Sequence, residues 1–415
     1  MNKIKIILPL ILVGVLQACS QPEKPVASEA DKAFEKQLIK QLVMAKPGDV
    51  IEIPAGVHPI SRGLSLNVDG VTIKGEGMDK SVLSFKGQIA GAEGLLVNAS
   101  NFTIEDMAIE DALGDALKVN EAENVIIRRV RTEWTRGPNE KNGAYGIYPV
   151  QTTNTLIEGS VAIAASDAGI YVGQSHNVIV RDSRAEYNVA GIEIENTQGA
   201  DVYDNIATNN TGGILVFNMP NLPQPGFGTR VFNNKVYDNN TDNFAAKGTA
   251  VASVPAGSGV VINSNDKVEI FGNQIADNQT ANVVISSYYS AGFYSEKSSA
   301  EGFDPYPETI FIYDNEFKGG GNSPDHLELQ ALRVAEFGLT GSLPDILWDG
   351  YVNPDKTENG QLKAEYKICV DNGDAGIVNV DGPNGYKNIS TDITPHQCQH
   401  EKLPEIVLPE YFASH

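Results

Sequence analysis

Residues 175–197 read Ser175-His176-Asn177-Val178-Ile179-Val180-Arg181-Asp182-Ser183, then Arg184-Ala185-Glu186-Tyr187-Asn188, then Val189-Ala190-Gly191-Ile192-Glu193-Ile194-Glu195-Asn196-Thr197. An alternating apolar run opens the stretch and a small polar residue follows it. Five residues later comes Asn188, and then a small residue introduces a second alternating run. The same order fills 152–174 and 198–220, each also 23 residues long, and returns at 265–287 after an insertion. Two columns emerge when the segments are aligned. One is Ser160, Ser183, Asn205, Asn234, Asn273 and Asn315; the other is Asn188, Asn210, Asn239 and Asn278. Gly169, Gly191 and Gly213 each open a second alternating strand with Ile as its next residue.

Physical chemistry gives these columns a meaning. When parallel coils stack, each residue lies one strand spacing, about 4.8 Å, from its equivalent. At every corner the backbone turns and leaves amides without ladder partners; an inward Asn can satisfy them and bond the next Asn as well. A leucine-rich repeat would need a leucine series, and a propeller blade roughly twice the period. The predicted fold is therefore all-β, a right-handed parallel β-helix. In the strand after each small residue, Ile147, Ile170, Ile192 and Ile214 point inward. The outward column is then Lys118, Tyr148, Tyr171, Glu193, Leu215 and Val261, with Asp167, Gln174, His176, Glu195 and Asn218 near its ends.

The bulk properties agree. The chain of 415 residues is 41% hydrophobic, with 40 glycines for tight turns, and its net charge of −22 opposes nucleic acid as a partner. Lys3 and Lys5 precede an apolar run from Ile6 to Val15, in the order of a signal peptide. The following Leu16-Gln17-Ala18-Cys19 resembles the bacterial lipobox. That resemblance implies cleavage after residue 18, lipidation of Cys19 and an outer-membrane lipoprotein held to the membrane only through its lipid. Loss of residues 1–18 would take the net charge from −22 to −24. Residues 19–30 read as a tether, 31–45 as a capping helix with Ser28 and Asp31 at its start, 46–318 as the β-helix and 319–415 as a closing region. Cys369 and Cys398 form an even pair, read as a disulfide in an oxidising compartment; two free thiols or a metal site are the alternatives. A helix is expected from Ser323-Pro324 to Gly338, and Asp371-Asn372-Gly373-Asp374 reads as a turn, only loosely like a calcium loop. No cofactor or metal is predicted, and Ca²⁺ lacks a clear motif.

Lys46-Pro47-Gly48-Asp49-Val50-Ile51-Glu52-Ile53-Pro54-Ala55-Gly56 and Val71-Thr72-Ile73-Lys74-Gly75-Glu76-Gly77 resemble the opening coils of β-helix polysaccharide lyases and their relatives. Over 46–318 the chain looks like the carbohydrate-binding and sugar-hydrolase type: pectate lyases, chondroitinase-B-like lyases and mannuronan C5-epimerases. The epimerase Asp-Pro-His-Asp motif is missing. Of the polygalacturonase set only Asn240-Thr241-Asp242 has a counterpart. No catalytic residue carries over. In overall layout the chain is also similar to a family of exported parallel β-helix lipoproteins of unassigned activity, whose members tend to be encoded beside a second exported protein.

The functional expectation follows from the outward column. Tyr148 and Tyr171 offer faces for sugar rings, Glu193 and His176 are the candidate acid and base, and Lys118 supplies a cation. The swollen coil at 135–143 is expected to bring Trp134, Arg136 and Tyr145 over the column, with Tyr171 and Glu193 facing solvent. Further insertions lie at 219–229, 241–258 and 288–308, and insertions in a solenoid map to one face, often the binding face. Two readings result: binding and processing of a polysaccharide, or a non-catalytic scaffold for a co-exported partner.

Overall fold

A computed structural model describes residues 28–290, 303–359 and 361–413. The signal peptide, Cys19, most of the tether and most of the Tyr-rich loop at 288–308 lie outside the described residues. The chain coils as a parallel β-helix. Each regular coil contributes one strand to an eleven-stranded sheet, then a long and a short strand to a nineteen-stranded one, as in Ala168–Gly173, His176–Arg181 and Arg184–Glu186. Among the described residues the strands of both large sheets pair parallel; the antiparallel pairings are a two-stranded hairpin at Thr357–Glu358 and Gln361–Leu362 and an isolated bridge between Asn379 and Ser390. The inward isoleucines stack as predicted: Ile147 on Ile170, Ile192, Ile214 and then Val260, all with no solvent exposure. The repeat is less uniform than its 23-residue reading. Thr153 pairs with His176, but His176 pairs with Gln198, one residue short of that period.

Both polar columns are buried ladders. Asn205 Nδ2 donates to Asn234 Oδ1 (3.0 Å) and to the corner carbonyl of Val180 (2.9 Å). Asn210 does the same with Asn239 (3.0 Å) and Ala185 (3.0 Å). The small residue beside the second ladder has a steric cause. A Cβ on Gly191 would lie 2.8 Å from Asn210 Nδ2, so a side chain there would displace the ladder.

The first coils are closed by the helix Glu29–Met44, started as expected by Ser28 and Asp31, which form a reciprocal capping box. Leu38 and Leu42 are its buried residues. At the other end the structure corrects the sequence reading. Strands Ile346–Trp348, Ile368–Asp371 and Ile377–Asn379 lie within the closing region yet extend the two sheets. Asn372 accepts from Asn315 Nδ2 (3.0 Å), so the supposed calcium-like turn continues the first ladder. The second helix spans Leu327–Phe337, starting later than Ser323 and ending at Gly338, whose φ of 79° suits glycine. Cys369 and Cys398 are joined in a disulfide. Beyond it the chain runs back along the nineteen-stranded sheet. Lys402 sits over the Tyr313 ring, the Leu403 N–H donates to Glu269 (3.0 Å) and the Ile406 N–H donates to Asp201 (3.1 Å).

Candidate functional site

The outward column is in the predicted register. Lys118 pairs with Tyr148, Tyr171 with Glu193, and Glu193 with Leu215. What it carries is a compact cluster, not a solvated stripe. Tyr145, Tyr148 and Tyr171 converge, with ring centroids 4.4 Å apart for Tyr145–Tyr148, 4.6 Å for Tyr145–Tyr171 and 5.0 Å for Tyr148–Tyr171. Small neighbours make this convergence possible. A Cβ on Gly173 would fall 2.4 Å from the Tyr171 ring, so its absence lets that ring lie along the sheet toward the next coil. There the Tyr171 hydroxyl donates to Glu195 Oε2 (3.0 Å) and accepts from Gln174 Nε2 (3.1 Å).

Two expectations about exposure are therefore corrected. Tyr171 is 4% exposed and Glu193 1% exposed, because the rings tilt over the column and the chain beyond it is roofed. The roof is the insertion at 241–258. Its Val251 and Val254 pack with Leu215 and Val261 on this outer face, and Leu329, Leu332 and Phe337 of the second helix pack against the same cluster farther along. Tyr145, Tyr148, Lys118, Asp115 and Glu195 remain half-buried, so the accessible part of the site lies toward the N-terminal coils.

Other predicted members are elsewhere. Trp134 points into the solenoid, 4% exposed, where its indole N–H donates to the Ala112 carbonyl (2.7 Å). Gly143 leaves room for it, since a Cβ there would come within 2.5 Å of the indole. Arg136 is exposed on the swollen coil. His176 begins a strand of the nineteen-stranded sheet, in register with Thr153 and Gln198 and not with the tyrosines. Tyr145, Asp167 and Glu195, which the sequence placed over the column or near its ends, join the cluster; the member the sequence reading missed is Asp115. Asp115 gave no periodic signal because it precedes its strand, but its Oδ1 accepts the Tyr145 N–H (3.3 Å).

The electrostatics of the cluster are uncompensated. Lys118 is the cation beside it, its ammonium 4.9 Å from the Tyr148 ring centroid. Burial pushes Asp115 up to about 6. Burial also raises Glu193, with repulsion from Asp167 and Glu195 adding to it, and raises Asp167 and Glu195. Glu193 Oε2 is buried and has no hydrogen-bond partner. Tyr148 is pushed up to about 12, by burial first and then by Asp115, and Tyr145 and Tyr171 are raised further, so all three remain neutral phenols. The site thus combines aromatic faces with carboxyl groups biased toward the protonated form, the condition a general acid needs near neutrality.

Two other regions gather polar groups. Asp266, Asp304 and Glu308 bring carboxylate oxygens within 4.8 Å of one another, but the Lys356 ammonium bonds Asp304 (2.7 Å) and Glu308, so the group already holds a cation. Cavities of about 430 and 630 Å³ open at the C-terminal end around Asp371–Ala375, far along the stack from the tyrosines.

Comparison with known proteins agrees with the coil geometry. No curated protein matches the chain. Among solved structures, the A-module of mannuronan C-5 epimerase AlgE4 from Azotobacter vinelandii superimposes with a TM-score of 0.55 at 19% identity, covering 82% of this chain and 90% of that one. The AlgE6 A-module of the same organism gives 0.56 at 18% identity, covering 83% and 89%. At such identity the likeness is one of fold. The model of the family described as "Right handed beta helix region" matches residues 69–223 and 140–322, well over half of the chain. Asparagine ladders, parallel three-stranded coils and this match lead to one conclusion: the chain belongs to the right-handed β-helix family.

Proposed function

We propose that the protein binds a polysaccharide along the cleft at Tyr145, Tyr148 and Tyr171, and that its carboxyl groups equip it to process the bound chain. The observation that carries this reading is the convergence of three tyrosine rings within 5.0 Å beside carboxyl groups that, among the described residues, have Lys118 as the cation near them. A purely structural face gains nothing from burying Glu193 with an unpaired oxygen, which costs on the order of 1–3 kcal/mol. Aromatic faces beside ionisable groups fit sugars, whose rings present apolar C–H faces and polar rims. The fold shared with two mannuronan C-5 epimerase modules supports this, as a fold-level analogy.

In this reading Glu195 is the acid–base group, Glu193 a buried carboxyl beside it, Tyr148 contacts the substrate with Lys118 lying over its ring at the edge of the cleft, and Tyr171 positions Glu195. A lipid on Cys19 would hold the protein at the outer membrane of a bacterial envelope, where such polymers are met; Cys19→Ser should release it from membranes washed at alkaline pH. The test of the cleft is a glycan array followed by titration. Tyr148→Ala should weaken binding of the captured glycan roughly tenfold, the order of one lost aromatic contact. Arg184→Ala, on the other sheet, should bind like the parent. Equal binding by the parent and Tyr148→Ala would overturn the assignment. Absence of any captured glycan would favour a scaffold for a co-exported protein.

A further inference from the structure

Resting on that reading of the cleft as a glycan site, the geometry points to a narrower ligand class. We propose that the cleft takes an amino sugar polymer with free amines, one ammonium lying against the Tyr145 and Tyr148 rings and the Glu195 carboxylate.

Three observations converge on a cation. The first is the balance of groups: among the described residues, Asp115, Asp167, Glu193 and Glu195 share one small region with one lysine, Lys118. The second is the orphaned Glu193 Oε2, on a side chain 1% exposed and in register directly beside Tyr171. A buried carboxyl oxygen with no partner marks a missing donor or positive charge. The third is the aromatic triad. Its three rings pack on one another at 4.4–5.0 Å, and the half-buried Tyr145 and Tyr148 present electron-rich surface at the edge of the cleft, where the ring quadrupole attracts an ammonium. Lys118 already makes such a contact, its own ammonium lying 4.9 Å from the Tyr148 ring centroid. A uronate-rich chain would meet the opposite environment, with Lys118 as its sole attractive charge among these carboxyl groups. A neutral glucan would use the rings but leave the carboxyl surplus unexplained.

The binding event also has a proton balance. In the free protein burial keeps the carboxyl groups raised, so some hold protons near neutrality. An arriving ammonium favours the ionised form, and protons leave for solvent. Affinity should therefore tighten as pH rises from about 5 toward 7.5, until the ligand's own amines lose their charge. Asp115, its neighbour Glu93 and the three tyrosines face the same space; the phenols stay neutral over that range, and Asp115 titrates with the other carboxyls.

The experiment is calorimetric titration of the whole chain with a glucosamine tetramer, its N-acetylated counterpart and a glucose tetramer. Each is measured in two buffers of different ionisation enthalpy. The glucosamine tetramer should bind at least about tenfold more tightly than the other two, with net proton release. Glu195→Gln should remove the preference, and Lys118→Ala should strengthen glucosamine binding by vacating the Tyr148 face. Lys118 is half-buried at the edge of the site, so that variant keeps the test open if Glu195→Gln folds poorly. Equal or tighter binding of an acetylated or glucose tetramer would overturn the amine inference and leave the glycan site standing. So would capture of an acidic glycan on the array with no binding of glucosamine. If neither the array nor the tetramers give binding, both readings fall.

Discussion

On the nineteen-stranded sheet Glu158 receives Arg128 (2.5 Å) and Arg181 (2.6 Å) from the coils on either side, Arg129 bonds Asp106 (2.6 Å), and Arg230 grips Asp201 with two nitrogens (2.5 and 2.7 Å). Beside these pairs Tyr203, Phe232, Phe271 and Tyr313 stack flat at 4.7–4.9 Å, their faces spent on one another. On the eleven-stranded sheet, in the same stack of coils, the carboxyl groups lack such partners and the tyrosines tilt at 43–85° to one another. The coil geometry is common to both faces, so it explains neither pattern. A face that holds coils together gains by matching charges across the strand spacing, as these pairs do; farther along the same sheet Asp266 and Glu308 each keep a buried oxygen unpaired, but there the Lys356 ammonium bonds Glu308. Buried groups left unmatched are a cost that persists where something other than stability is selected.

The sharpest way to break this contrast is to unbalance the matched face. Arg230→Ala leaves Asp201, 2% exposed, without its cation, and should cost about 3–5 kcal/mol in chemical denaturation. A loss under 1 kcal/mol would mean the pairing is incidental. The reverse change is made on the other face. Glu193→Gln keeps the shape and removes the titration. Because burial raises the Glu193 carboxyl in the folded state, its contribution is complete below the ordinary glutamate range and is lost as pH climbs toward the raised value. Parent and variant should therefore differ least near pH 4, with the variant more stable by about 1–3 kcal/mol at pH 8. A parent protein that gains stability over the variant on going from pH 4 to 8 would contradict the uncompensated reading. The smallest effect is expected for Arg184→Ala. Its pair with Glu186 (2.6 Å) is partly solvated, the arginine side chain being 39% exposed, and the change should stay within about 1 kcal/mol and shrink further in salt.

Much of the fold was legible because it is written periodically. An inward Asn or Ile recurs at each coil, and Gly191 and its equivalents are small for a reason that one contact states. The site was legible only as a column. Alternation gives the face on which Tyr171 and Glu193 lie, but not whether anything covers them. Their burial depends on Gly173, which lets a ring lie down, and on Val251 and Val254 from an insertion outside the repeat. Trp134 was misplaced for a related reason: it follows an extended strand, Glu123–Glu133, and turns inward only because Gly143, nine residues on, vacates the space. The contacts that Asp201 and Glu269 make with the tail carried no signal, since Ile406 and Leu403 lie more than a hundred residues away.

Those two carboxylates have a wider consequence. A stack of coils is close to one-dimensional, and such arrays can fray from either end one unit at a time. The tail that leaves Cys398 and fastens at Glu269 and then Asp201 works like a stitch sewn back through earlier rows. Opening the last rows then requires unpicking contacts several rows away, so the C-terminal half should melt as a block. The seam is made of residues that follow in the chain every row it fastens, so it can close only after those rows have been synthesised.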